Sequence, residues 1–187
     1  MNPLRIPPAK AGSPRRKGLS LAEILISLAI TSSLLTAVGA AFHSASTVVE
    51  NNDKFFRATQ SARVALNQIL TEVRRCDAIN DSRISATLLP ILRPAETRPA
   101  NEAMRFYKYI PATQQLVLYF EYVDGTLSPE YPIAQSVQSA PFSWDTGPDS
   151  NNHTAVLRVS AAIDVKLGKD QIRLSGSAAP RRAITYK

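Results

Sequence analysis

From Leu19 to Phe42 the chain is apolar or small at nearly every position, and Glu23 is the only charge in that run. A helix rises about 1.5 Å per residue, so this stretch reaches about 36 Å, enough to cross a hydrocarbon core. Further on the apolar positions thin out to a helical period. Val49, Phe56, Thr59, Ala62, Leu66, Ile69, Leu70 and Val73 mark one packing stripe, with Lys54, Arg57, Arg63, Glu72 and Arg74 on other faces. No Gly or Pro interrupts residues 40–79. The pattern therefore predicts one helix from Leu19 to about Arg75, roughly 85 Å long. Its first part suits a membrane span, and its second half should lie against a sheet. A free-standing coiled coil fits less well, because ordered charge pairs beside the stripe are missing.

Past Asp81 the period shortens. Pro90, Pro94 and Pro99 predict a long connector. Residues 104–110 and 115–122 read as two strands joined by Pro111-Ala112-Thr113-Gln114, and Asp124-Gly125 reads as a turn. Residues 155–165 and 171–175 read as another antiparallel pair, turning at Gly168-Lys169. Helix first and strands afterwards predicts an α+β fold, a long N-terminal helix packed on an antiparallel β-sheet. The expected divisions are a basic leader over 1–18, a membrane helix over 19–42, its amphipathic continuation over 43–79 and a β-rich domain over 80–187.

Charge placement sharpens this picture. The formal net charge of +7 invites a nucleic-acid reading. Yet Arg5, Lys10, Arg15, Arg16 and Lys17 hold five of the 22 basic residues, leaving 17 after Gly18 against 15 acidic ones. The basicity sits mainly in the leader, where it predicts a cytoplasmic N-terminus and an exported C-terminal part. No basic surface interleaved with aromatics stands out in the remainder, so nucleic acid is not the expected partner. Pro3, Pro7, Pro8 and Pro14 keep the leader from forming a helix. The single cysteine, Cys76, excludes an internal disulfide and a cysteine-rich zinc site, and reads as a small buried apolar residue at a helix end.

Ser20, Glu23, Ser27 and Thr31 recur every three or four residues, which places them on one stripe of the apolar helix. A carboxylate at a bilayer centre costs roughly 2.5–3.5 kcal/mol or more, so Glu23 is a functional candidate. The bland alternative is that it snorkels to the nearby interface. A polar stripe on a spanning helix normally turns toward other helices.

The run Arg15-Arg16-Lys17-Gly18-Leu19-Ser20-Leu21-Ala22-Glu23, leading into the apolar segment, resembles the processing and assembly signal of type IV prepilins and type II secretion pseudopilins. The resemblance implies a pilin-like fold and cleavage by prepilin peptidase after Gly18. It further implies N-methylation of Leu19 and assembly into an inner-membrane-rooted filament with other pilin or pseudopilin subunits. Glu23 would then pair with the Leu19 amine of a neighbouring subunit, a group largely protonated at neutral pH. Ser20, Ser27 and Thr31 would extend that contact stripe. Other expected partners are the peptidase and the inner-membrane assembly platform. The first mature residue is usually Phe in this family and is Leu19 here. A helix-bending proline common in the family is replaced by Ala40. Residues 61–75 are similar to J-type minor pseudopilins and W-type minor pilins, whereas K-type pseudopilins characteristically lack the carboxylate.

Two rival readings remain. Gly39-Ala40-Ala41 fits the small-x-small rule of a signal peptidase site, which would free a soluble domain starting at Phe42. Alternatively, an adhesin-like binding domain uses a pilin anchor. No cofactor is expected and no enzyme motif is found: His43 and His153 lack ligand-spaced partners, and there is no nucleophile elbow or phosphate-cradling loop. Asp145, Asp149, Asn151 and Asn152 around Gly147-Pro148 form an oxygen-rich stretch for which calcium is a minor possibility beside a plain turn. Phe142 and Trp144 beside it read as core-facing strand residues.

Overall fold

The computed structural model describes Gly18, residues 20–148 and residues 154–181. The leader up to Lys17, Leu19, and the Asp149, Asn151, Asn152 and His153 positions lie outside the described residues.

A single helix, α1, runs from Leu21 to Arg75. It starts because Ser20 caps it: the Ser20 hydroxyl accepts the Glu23 N–H at 3.2 Å, and the Ser20 carbonyl accepts the Ile24 N–H at 3.2 Å. Glu23 in the first turn and Arg74 and Arg75 in the last each complement the helix dipole. Contacts divide the chain into two units, Met1–Thr47 and Val48–Lys187.

In the first unit the described helical residues are all exposed, including Leu21, Leu25, Leu28, Leu35 and Phe42. The segment is long and apolar enough to cross a membrane. Several of its hydroxyls are satisfied within the helix. Thr31 donates to the Ser27 carbonyl, Ser32 to Ala29 at 3.0 Å and Thr36 to Ser32 at 2.8 Å. Such back-bonding leaves few donors needing water.

In the second unit α1 packs against two antiparallel sheets rather than one. The first sheet has the order β1 (Ala78–Ile79), β2 (Leu88–Leu92), β3 (Glu102–Ile110), β4 (Gln115–Tyr122) and β5 (Tyr131–Ala134). The second is built around β8 (Thr154–Leu167), which pairs with β6 (Val137–Ser139) and β7 (Phe142–Pro148) along one edge and β9 (Asp170–Ala178) along the other. The two predicted hairpins form as expected. The β8–β9 turn uses Gly168 at φ 61°, and the turn after β4 uses Gly125 at φ 82°.

Ala58, Ala62, Ala65, Leu66, Ile69, Leu70 and Val73 are the buried face of α1. They share one core with Leu89, Ile91, Tyr107, Leu116 and Leu118 of the first sheet and Val156, Val159, Ile163 and Val165 of the second. Each fully buried Ile or Val here contributes about 1.5–3 kcal/mol. The fit is closest where Leu70 rests on Gly176 of β9: a Cβ at Gly176 would stand 2.6 Å from the Leu70 Cδ1 atom. Hydrogen bonds tie the layers together. Gln68 Nε2 donates to the Tyr107 hydroxyl at 3.3 Å, and the Tyr109 hydroxyl donates to the Val137 carbonyl at 3.2 Å.

An alternating ring of four charges closes the end of the helix against the first sheet. The Arg105 fork reaches Glu72 Oε1 at 3.0 Å and both oxygens of Glu102 at 3.3 Å. Arg93 closes the ring, at 3.5 Å from Glu72 and 4.0 Å from Glu102. The Arg105 guanidinium also lies over the Phe120 ring, 4.8 Å from its centroid.

Four sequence expectations need correction. The connector after Asp81 is not continuous loop, since Pro90 sits inside β2 opposite Phe106. β1 reaches only Ile91 and Leu92, so at Pro90 that side of β2 is an edge, where a missing N–H is tolerated. Val49 and Phe56 do not belong to the packing stripe: they are 61% and 62% exposed, and the buried positions of α1 begin at Ala58. Trp144 shares the face of β7 that carries buried Phe142 and pairs with buried Val159, yet it is itself 36% exposed. Finally, Asp145, Gly147 and Pro148 belong to β7, paired with Arg158, Ala155 and Thr154, rather than to a loop.

Candidate functional site

The candidate residues fall on the first turns of α1. Glu23, Ser27 and Thr31, together with Ile24 and Leu28, line one shallow groove on the helix surface. Their helical spacing puts them there. Ser20 lies outside this groove, and its hydroxyl accepts the Glu23 N–H as the N-cap. The Ser20-x-x-Glu23 spacing is the capping-box signature, and it is legible in the sequence once the helix start is known. Gly18 is non-helical and exposed, two residues before that cap. Leu19, expected to follow a scissile bond and to be methylated, is outside the described residues.

The Glu23 carboxylate is exposed and makes no hydrogen bond or ion pair among the described residues. A charge kept in an apolar segment without an internal partner is costly unless another molecule or the interface supplies one. Thr31 has its hydroxyl turned to the Ser27 carbonyl, so it offers only an acceptor outward. The signal-peptidase candidate Gly39-Ala40-Ala41 lies inside α1, with no break in the helix there.

Elsewhere burial shifts several titratable groups. Cys76 is buried just after the helix, with its thiol 3.1 Å from the Val73 carbonyl. Burial, reinforced by Asp77, pushes the thiol up to about 12, so it is a poor nucleophile at neutral pH. Burial, with Glu72 adding to it, likewise pushes the Tyr107 hydroxyl up to about 12. Asp164, 91% buried by its 9% exposure, accepts from Ser139 at 2.5 Å, and its other oxygen lies 3.7 Å from Arg173 without a hydrogen bond. His43 is an exposed helix residue. Among the described residues no group of three His, Cys, Asp or Glu could hold a metal ion. Comparison with protein-family models, curated proteins and solved structures finds no match.

Proposed function

We propose that the chain is a minor pilin or pseudopilin subunit. In this reading prepilin peptidase cuts after Gly18, and the mature chain, starting at an N-methylated Leu19, enters a filament rooted in the inner membrane. The N-terminal leader stays cytoplasmic and the β-rich part faces the periplasm. The chain is a substrate and building block rather than a catalyst. Its partners are the peptidase, neighbouring subunits and the inner-membrane assembly platform.

The observation that carries the reading is Glu23: an exposed carboxylate with no partner among the described residues, five residues after Gly18, on an apolar helix. A neighbour's Leu19 amine, cationic at neutral pH, satisfies it. Pairing in a low-dielectric surround requires both charges and good geometry, which selects one axial register. Glu23 also occupies the third position of the helix, so its removal acts on the helix start as well as on the pairing.

Mass spectrometry of the mature N-terminus, from cells that carry a prepilin peptidase, is the test. N-methyl-Leu19 supports the reading. A chain starting at Phe42 identifies a secreted domain instead, and an intact Met1 sinks both. Among processed chains, Glu23→Ala is expected to stay in the membrane and out of sheared filaments. Normal incorporation of that variant overturns the pairing role.

A further inference from the structure

Two features of the second unit sit at opposite ends of its stretch of α1. Near Ala58 a groove of about 460 Å³ opens between α1, β5 and the end of β8. Ile133 and Leu167 pack against the core there yet stay half-buried, and with Ala58 and Ala134 they give the groove an apolar lining. Lys54 and Arg57 add two cations to it. Lys54 is held by Glu50 at 2.7 Å, whereas Arg57 makes no ion pair with Asp53 one turn before it or with any other described residue.

The turn after β4 lies at the other end. Tyr122 pairs with Glu102, which Arg105 ties to Glu72, so the turn stands about 21 Å along α1 from Ala58. Its backbone is well held. The Tyr122 N–H donates to the Thr126 carbonyl at 2.8 Å, and the Asp124 carboxylate accepts the Thr126 N–H at 2.9 Å and its hydroxyl at 2.6 Å. On this fixed turn two aliphatic side chains point to solvent, Val123 at 71% and Leu127 at 60% exposure. Asp124 between them makes no ion pair among the described residues.

We propose that the Val123–Leu127 turn of one copy seats in the groove of the next, with Asp124 against Arg57. An apolar knob then meets an apolar groove, and an unpaired anion meets an unpaired cation. Because the two surfaces lie at opposite ends of one unit, the contact is heterologous. A displacement along α1 brings them together and leaves every helix pointing the same way, as a row of subunits in one filament requires. A single turn in a groove is a small interface, so the contact is weak between two chains in dilute solution and gains strength along a row. It depends neither on cleavage after Gly18 nor on Glu23, and stands or falls separately from them.

Disulfide trapping of the purified full chain in detergent tests it, in a Cys76→Ser background. Val123→Cys keeps a small apolar side chain on the turn, and Gln135→Cys puts the second thiol on an exposed residue that lines the groove. The two positions lie at opposite ends of the unit, beyond the reach of a disulfide within one chain. On oxidation a chain carrying both is expected to give a ladder of dimer, trimer and larger products on a non-reducing gel, and each single-cysteine chain alone gives none. Arg57→Glu in the double-cysteine chain is expected to remove the ladder, and adding Asp124→Arg is expected to restore it. No ladder, a product that stops at dimer, or a ladder indifferent to Arg57→Glu overturns the proposal. Equal product from Val123→Cys alone also overturns it, since that reports turn meeting turn.

Discussion

Replacing Arg105 by Ala opens the charge ring where it is most buried. The Arg105 side chain is 11% exposed and that of Glu102 only 4%, so water does not take over the role of the lost guanidinium. Breaking a buried pair by removing one partner costs about 3–5 kcal/mol. Arg93 still reaches both carboxylates, at 3.5 and 4.0 Å, which favours the lower end of that range. The lost cation over Phe120 adds about 0.5–1 kcal/mol. A total near 3–4 kcal/mol corresponds to a fall of roughly 10 °C in the melting temperature for a unit of this size. The melt should be followed by near-ultraviolet circular dichroism of the tyrosines and Trp144, because the apolar part of α1 stays helical in detergent. Arg105→Lys should fall between wild type and Ala, since one ammonium cannot reproduce the fork. A second change, Glu72→Gln, made in the Ala background should recover part of the loss, giving a coupling energy by double-mutant cycle. If Arg105→Ala melts within about 2 °C of wild type, the ring contributes nothing net and the reasoning fails.

Other expectations concern separate parts of the molecule. Gly176→Val is expected to lose about 1–3 kcal/mol in urea unfolding, because the Leu70 side chain already occupies the space; Leu70→Ala in the same chain should relieve part of the strain. Cys76 should resist iodoacetamide at pH 8 while folded and react on unfolding. Its folded-state value lies above the unfolded one, so the unfolded chain loses its proton first and stability falls between about pH 9 and 12, with Tyr107 adding to the fall above about pH 10. Cys76→Ala should flatten the lower part of that alkaline slope in pH-dependent denaturation. At the helix start, Ser20→Ala should cost about 1 kcal/mol locally and speed hydrogen exchange of the Glu23 amide. Glu23→Gln should leave that exchange unchanged yet fail in assembly, separating the capping role from the charge.

Much of the fold was legible because periodicity and turn chemistry agreed. The apolar run and the absence of Gly and Pro over residues 40–79 located α1, and Gly168 and Asp124-Gly125 located turns. What could not be read was long-range. Nothing local shows that Pro90 sits at an uncovered edge, that Trp144 stays partly exposed, or that the buried positions of α1 begin only at Ala58. The charge ring joins Glu72, Arg93, Glu102 and Arg105 from distant parts of the chain, and each alone looks like an ordinary surface charge. Of the candidate stripe, the helical spacing placed Glu23, Ser27 and Thr31 correctly on one groove. The spacing alone did not show that Ser20 also caps the helix, because a cap is recognised by where the helix begins.

The two tight hairpins, β3–β4 and β8–β9, carry a consequence for the order of folding. Each closes over a loop of two to four residues, so each forms early and without help from the other. Helix α1 must then bring Ile69, Leu70 and Val73 onto both at once, across a long sequence separation. The helix seam is therefore expected to lock after the hairpins. Gly168→Ala, which strains the β8–β9 turn, should slow refolding, whereas Leu70→Ala should mainly hasten unfolding. Equal slowing of refolding by both variants in stopped-flow measurements would reverse that order. A chain whose two hairpins form before its helix docks leaves that helix undocked while the hairpins are already in place.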